Sequence, residues 1–473
     1  GIFGKEIVQK GIVTVGNGGT GLYSEGGNVT LDSTSKINTG ANKAVGVFTK
    51  GAGQTVTASA GSTMTIGDSS FGFLNEGKGN TINSNVANQT LGNDGTYIYS
   101  SDRTGVVNNN TALTSTGSYN YGLYSAGTVT NNADINFGTG LGNVGIYSTY
   151  GGTATNMTGK TVTVGASYID PNNSLNNRYA VGMAAGFNGD GNPAKAYTGT
   201  VVNEGTINVN GQYSIGMYGT GKGTTVYNGT SKGSTATINL KANNTTGMYL
   251  DNEAYGYNYG TIKSVGSGLQ ALTGVVVKNG ATFENHGLVE LNAEAALGGL
   301  IANDEDKAPG VIKNYGTFKI NGKVNTESPE VTDEDIVRKQ VDKSDLSKRL
   351  KNGTEIVVPT DPNTEAIQKD GKPIKPPKMD IVDDTTKRTI QKKMLTSSKI
   401  GMYIDTSSKN YTKPLEGLGN LGRLKTADLI IGNEATQNTT KKYITITDKK
   451  ILEPYSEMIK RNTQISEWHV YSN

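Results

Sequence analysis

One short motif governs this sequence by returning: glycine, an aliphatic residue, an aromatic residue, a small residue. It reads GLYS at Gly21, GVFT at Gly46, GFLN at Gly72, YIYS at Tyr97, GLYS at Gly122 and GIYS at Gly145. It continues as GMAA at Gly182, GMYG at Gly216, GMYL at Gly247 and GVVV at Gly274, and reappears as GMYI at Gly401. Up to Gly145 the copies lie 23 to 26 residues apart, and from there to Gly274 they lie 27 to 37 apart. A period of this length means that each copy is one structural unit, too small to bury a face alone and stable only when stacked on its neighbours.

A second motif falls between the first ones: VTNNADINF (129 to 137), VVNEGTINV (201 to 209), GYNYGTIKSV (256 to 265), TFENHGLVEL (282 to 291) and IKNYGTFKI (312 to 320). Its alternation of apolar and polar residues is the pattern of a half-buried strand, and the Asn-x-Gly before it is turn chemistry. Leucine-rich repeats have a similar period but need several leucines per unit, and a propeller blade needs about 40 residues. The expectation is therefore an all-β chain forming a right-handed parallel β-helix over residues 1 to 320, with rungs stacked about 4.8 Å apart. Gly16, Gly18 and Gly21 spell the G-x-G-x-x-G of a dinucleotide turn, but the following Leu22-Tyr23-Ser24 leads to another turn and strand rather than to a helix that could hold a phosphate.

Pleat parity assigns columns. The aliphatic residues, with the residue before each glycine (Val45, Phe71, Val144, Val181, Ile215), are expected to face the core. The glycines Gly122, Gly145, Gly216 and Gly247 would then share the outer face with Tyr124, Tyr147, Tyr218 and Tyr249, an external aromatic ladder and the candidate ligand contact. Its simpler role is to cover the glycines and stiffen the face. Asn131, Asn203, Asn258, Asn285 and Asn314 are expected to form a second ladder at a corner, amide to amide. Where the spacing widens, at 149 to 181, 186 to 200 and 219 to 236, loops should leave the rod and offer contact sites.

Residues 321 to 399 break the pattern with concentrated charge and with Pro329, Pro359, Pro362, Pro373, Pro376 and Pro377. Within them, Ile336, Val337, Val341, Leu346 and Leu350 have helical spacing, so this charged insertion reads as one short amphipathic helix with a Pro-Lys linker, or as disordered throughout. Residues 400 to 473 resume the rung signature.

Composition removes several function classes. The chain has no cysteine, so disulfides, thiolate nucleophiles and cysteine-bound metals are excluded. A net charge of +3 over 473 residues, with arginine scarce, gives no basic stripe for nucleic acid. GDSS at Gly67 imitates a serine-protease motif, but His286 and His469 are the only histidines available as base. The phosphate-loop pattern from Gly216 to Lys222 has Gly223 where the magnesium-binding hydroxyl belongs. A carbohydrate-cleaving β-helix is the serious enzyme alternative, yet Glu204, Glu284 and Glu290 fall together only loosely in register. The expectation is a protein without enzyme activity, cofactor or metal site.

The tail motifs IGMYIDTS, NYTKPLEGLGNL, ADLIIGNEA, ILEPYSEMI and ISEWHVYS, together with the rungs, resemble the barrel-proximal passenger of large type V autotransporter adhesins, particularly the fusobacterial outer-membrane type. The resemblance implies a β-helical stalk on the bacterial cell surface, held by its own C-terminal translocator barrel beyond Asn473. It also implies partners among host-cell surface glycans or proteins, or partner bacteria. A monomer with no nucleic-acid partner is expected. The rival readings are a polysaccharide-cleaving enzyme and a plain structural spacer whose adhesive tip lies upstream of Gly1.

Overall fold

The computed structural model describes residues 1–172, 176–189, 196–304, 306–326, 336–341, 399–404, 426–431, 452–462 and 465–472. The chain divides into two units, the larger built from residues 1–336 and 341–391. Its described part is a parallel β-helix in which three strand stacks wind about one apolar interior.

The glycine motif forms the first stack, from Ile2–Gly4 through Tyr121–Ser125 and Val144–Ser148 to Leu297–Asp304. Strands two rungs apart never pair; each joins its successor one period later. Thus Leu22 lies beside Val47, Val47 beside Phe73, Leu123 beside Ile146 and Met217 beside Met248. The second stack is a 12-stranded parallel sheet from Ile7–Gln9 to Val311–Asn314. The third begins as the short sheet Ile12–Val15, Lys36–Thr39 and Thr63–Thr65 and continues from Asn88–Leu91 to Thr317–Ile320. At its end the chain reverses at Asn321 (φ 50°) and Gly322 (φ 81°), and Lys323–Thr326 pairs antiparallel with Thr317–Ile320. Two consecutive positive φ angles at Asn-Gly are what a two-residue hairpin requires, so the break in pattern after Ile320 is a strand reversal.

Columns of like side chains fill the interior. Leu22, Ile98, Leu123, Ile146, Met183, Met217, Met248 and Val275 from the first stack meet Val29, Ile82, Val107, Val201, Val226 and Phe283 from the second. Ile37, Leu113, Ile135, Val162, Ile207, Ile238, Ile262, Val289 and Phe318 close the third side. Each fully buried aliphatic of this size stabilises by about 1.5–3 kcal/mol before entropy is counted, which is how so thin a core holds a long rod.

The glycine face was expected to point outward, and the structure reverses it. Val45, Phe71, Val144, Val181 and Ile215, expected in the core, lie outside the interior cluster; Phe71 instead meets the outward ring of Tyr99, centroids 6.0 Å apart. The glycines point inward: a Cβ on Gly145 would lie 2.6 Å from the Gly182 carbonyl oxygen and 2.6 Å from Val162 Cγ1, and one on Gly216 would lie 2.6 Å from both Gly247 O and Ile238 Cγ2. Gly122 and Gly247 meet the same obstacles, Leu113 with Gly145 O and Ile262 with Gly274 O. The registers pass from the residue before glycine directly to the residue after it, so strict alternation is broken at every rung. Glycine and the aliphatic residue therefore both face the core, and simple parity fails.

Tyr97 is the exception that occupies the glycine position. Its ring lies inside the core against Phe73, centroids 5.5 Å apart, and its hydroxyl pairs with Ser84 Oγ at 2.6 Å. Burial pushes its phenol pKa up, partly offset by hydrogen bonds from Ser84 and Thr111. Leu297–Asp304 adds a rung without the motif, because Gly299 stands in the aliphatic column beside Val275 and Leu300 in the aromatic column beside Val276.

The second unit is a parallel sheet of Lys399–Ile404, Thr426–Ile431 and Glu467–Ser472, with helix α1 (Glu453–Arg461) between the last two strands. Pro454 starts the helix, and Lys460 and Arg461 end it where cations favour the helix dipole. Tyr455 and Met458 pack on Met402, Ile404, Ala427, Leu429 and Ile465. The sequence reading of the tail as plain rungs contained no such helix. Of the helix expected within 333 to 350, the described residues Ile336–Val341 are instead a strand, as their β-branched Ile336, Val337 and Val341 favour. The remainder of that segment lies outside the described residues.

Candidate binding surfaces

The asparagine column is the most regular polar feature of the rod. Register stacks Asn109, Asn131, Asn156, Asn203, Asn228, Asn258, Asn285 and Asn314 at the ends of successive strands. Each Nδ2 donates to the Oδ1 of the next, from Asn109 to Asn131 at 2.8 Å, through Asn203 to Asn228 at 2.9 Å, to Asn285 to Asn314 at 2.9 Å. All eight side chains are sealed from solvent. Their second amide hydrogens cap nearby carbonyls, as Asn131 does for Ala133 O at 2.7 Å and Asn258 for Leu288 O at 3.2 Å. An asparagine supplies both a donor and an acceptor along the axis, so one residue type satisfies every corner. This is scaffold, and it fixes where the strands on either side of it point.

The tyrosine ladder also stacks in register, Tyr99 on Tyr124 at 4.8 Å and Tyr124 on Tyr147 at 5.0 Å, with Tyr218 tilted against Tyr249 at 5.9 Å. Its rings lie outside the core, but they do not meet solvent: Tyr124, Tyr147, Tyr218 and Tyr249 are at most 1% exposed. The expected exposed platform is corrected to a covered one. Around Tyr147 the cover is visible. The excursion between Ala185 and Thr200 folds back on itself through an antiparallel Phe187–Tyr197 bridge, N–O 2.7 and 2.8 Å. Tyr147 donates its hydroxyl to Gly186 O at 2.6 Å, and Ala126, Tyr150 and Phe187 form an apolar cluster with Tyr197 packed on it. Burial holds the phenols of Tyr99, Tyr124 and Tyr150 well above their ordinary pKa. None of these rings offers a face to a ligand.

A different aromatic row does reach solvent, on the outer face of the asparagine sheet. Tyr227 and Tyr257 stack at 4.9 Å and 9°, with Tyr255 of the same strand and Tyr259 just beyond its end near-parallel to Tyr257. Tyr259 stacks on His286 at 4.6 Å and 7°, and His286 on Tyr315 at 5.0 Å and 17°. Tyr255 is 37% and Tyr315 48% exposed. Burial, with neighbouring phenols and Glu284 adding to it, raises the Tyr257 pKa to about 12. Sequence reasoning missed this row because it follows the second motif. Part of its signal is the residue after the last three ladder asparagines: Tyr259, His286 and Tyr315.

Carboxylates near this row are already engaged. Glu284 contacts His286 at 3.2 Å and Lys313 at 3.5 Å, Glu290 contacts Lys319 at 2.8 Å, and Glu204 accepts from Thr230 Oγ1 at 2.5 Å. Asp251 and Asp304 converge elsewhere, bridged by Asn279 Nδ2 at 3.0 and 2.8 Å, with Lys278 3.1 Å from Asp304. That group is shut from solvent. Among the described residues, no cluster of three or more His, Asp or Glu side chains could hold a metal. Ser70, of the GDSS stretch, hydrogen-bonds Ala44 N and Gly40 O on the neighbouring rung, and many strands separate its rung from that of His286. His469 contacts Asp428 at 3.1 Å within the second unit. The Gly216–Lys222 stretch runs from strand Ile215–Thr220 into a turn at Gly221 (φ 101°) and Gly223 (φ 93°) and then into strand Thr225–Asn228, with no helix to receive a phosphate.

The widened spacings are excursions of unequal kind. Within 149 to 181, strands Thr153–Asn156 and Thr161–Ala166 keep the rod going, and only the segment after Ala166 leaves it. That arm is pinned by a Tyr168–Arg178 antiparallel bridge, with both N–O distances 2.8 Å. It bounds a cleft lined by Tyr119, Tyr121, Gly142, Val144, Asn177, Arg178 and Tyr179. Within 219 to 236, strand Thr225–Asn228 keeps its place and the turn after it carries the extra length.

Comparison with known proteins gives one match: residues 4–260, more than half of the chain, match the family described as the BigA third pectate lyase-like domain. No curated protein and no solved structure matches. The stacked rungs supply the fold that this description names, and the chain belongs to the family of the BigA third pectate lyase-like domain.

Proposed function

We propose that this chain is an attachment segment of a bacterial surface β-helix, a rigid rod that binds without catalysis. The observation that carries the reading is the solvent-facing aromatic row from Tyr227 to Tyr315, which runs along the rod over several rungs. Aromatic side chains with an apolar body and a polar tip are the groups that make sticky surfaces at low entropic cost, and a repeated row multiplies weak contacts into avidity. The surface placement is supported by the family match. The finer reading, a fusobacterial-type autotransporter passenger anchored through a translocator barrel, rests on the resemblance carried by the tail motifs together with the rungs.

Host-cell glycans or proteins, or surfaces of other bacteria, are the partners that suit such a rod. Beads coated with the purified chain should retain epithelial cells or bacteria, and Tyr257→Ala with Tyr315→Ala should lower retention several-fold. No retention by the wild-type chain would favour a spacer. Release of reducing ends from polysaccharides incubated with the chain would favour the cleaving enzyme that the pectate lyase-like description also admits.

A further inference from the structure

The cleft beside the Ser167–Ala180 arm holds a chemically distinctive group. Arg103 and Arg178 are the arginines of residues 1 to 320, and Arg103 lies on an exposed turn. Arg178 is half-buried, returned over the rod by its bridge to Tyr168. Its guanidinium carbon sits 4.7 Å from the centre of the Tyr119 ring, which in turn meets Tyr168 edge-on at 6.1 Å. Among the described residues the guanidinium has no salt bridge and no side-chain hydrogen bond. Asn177 is committed differently: its Oδ1 accepts from Asp170 N at 2.8 Å.

A glycine lets the arm and Tyr119 close together at this cleft. Gly142 has φ 62°, and a Cβ there would lie 2.9 Å from Arg178 O and 3.0 Å from Tyr119 Cδ1. Any side chain at 142 would push the arm and Tyr119 apart. The charge of Arg178 is felt by the walls: burial raises the phenol pKa of Tyr119 and of Tyr121, while Arg178 acts against that rise and Asp94 adds to it. Asp94 is occupied in part by Ser69 Oγ at 3.1 Å.

A half-buried guanidinium with no anionic partner among the described residues presents a planar fork that matches a carboxylate, and flanking phenol rings match the apolar face of a pyranose. Phosphate would use the charge and leave the rings idle. We propose that this cleft binds a single carboxylate-bearing sugar residue, its carboxylate on Arg178 and its ring against Tyr119 and Tyr121. The inference rests on the attachment reading only for its biological use, since it names the ligand that one site on the rod would take.

The test is ligand-observed NMR on the whole chain with N-acetylneuraminic acid, glucuronic acid, galactose, acetate and inorganic phosphate. The acidic sugars should give saturation transfer, and Arg178→Gln should weaken them at least ten-fold while Arg103→Gln leaves them unchanged. Arg178→Gln lies on the arm, and an unshifted melting temperature confirms that the rod persists. Equal binding of galactose, or no change with Arg178→Gln, overturns the proposal. Phosphate or acetate binding as well as the acidic sugars reduces the cleft to a plain anion site and overturns it too. Bead retention of cells without acidic-sugar binding would sink the cleft and spare the attachment reading; the opposite pair of results would do the reverse.

Discussion

The outer face of the glycine-motif sheet and the outer face of the asparagine sheet both stack aromatic rings at rung spacing, yet the column from Phe48 to Tyr249 on the first is sealed and the row on the second meets solvent. Strands such as Val45–Thr49 and Val144–Ser148 are buried at every position, whereas Thr225–Asn228 alternates between half-buried and buried. The difference lies in what the rest of the chain lays over each face. Near Tyr147 the cover is an excursion folded on itself, and at Tyr257 the neighbours are other rings and the Glu284 side chain. A ring covered by protein serves stability, and a ring left half-open is free to serve binding.

The largest expected effect tests the sealed face. Replacing Tyr124 by alanine empties a fully buried ring site between Tyr99 and Tyr147 and should cost about 3–5 kcal/mol in urea unfolding. A loss under about 1 kcal/mol would mean that the ladder is open after all, since that is the range of surface substitutions.

The next effect tests the sealed row by pH. A phenol whose folded pKa is raised holds its proton more tightly in the native state, so its contribution is fully present below the unfolded value near 10 and is lost as pH rises above it. Tyr97, Tyr99, Tyr121 and Tyr124 all have pKa values raised chiefly by burial. The urea midpoint should therefore be level from pH 8 to about 10 and fall beyond it. Tyr124→Phe should make that fall shallower. It should also cost little near neutral pH, because the Tyr124 hydroxyl is buried with no hydrogen-bond partner among the described residues. An unchanged slope in the phenylalanine variant would contradict the sealed assignment.

Legibility followed the same divide. Period, stacking and the columns Leu123 to Ile146 and Asn203 to Asn228 could be read because like residues must superpose when rungs repeat. Facing could not be read where glycine breaks the pleat, since alternation says which side a residue takes only while the strand stays regular. Exposure was equally hidden. Nothing beside Tyr124 or Tyr257 in the sequence says which ring is covered, and only the arm that returns through Phe187 and Tyr197 explains why the region around Tyr124 and Tyr147 is shut. The Arg178 cleft was hidden too, because it joins Tyr119 to a residue on the arm that leaves the rod after Ala166. Helix α1 was missed because residues 453 to 461 were read through the rung signature around them, although Pro454 with Glu453 ahead and Lys460 behind is a helix start and stop.

The smallest stability effect belongs to the open row, and it is the one most tied to function. Tyr257 touches Tyr227, Tyr255 and Tyr259, all partly exposed, so Tyr257→Ala forfeits ring contacts worth about 0.5–1.5 kcal/mol while leaving the core columns and the asparagine ladder intact. The urea midpoint should move far less than for Tyr124→Ala. Cell retention on coated beads should nevertheless drop several-fold, because removing the central ring splits the row between Tyr227 and the Tyr259–His286–Tyr315 stack. Equal destabilisation by the two alanines would erase the distinction between the faces. A small stability loss with full retention would leave the distinction standing and move the adhesive contact away from this row.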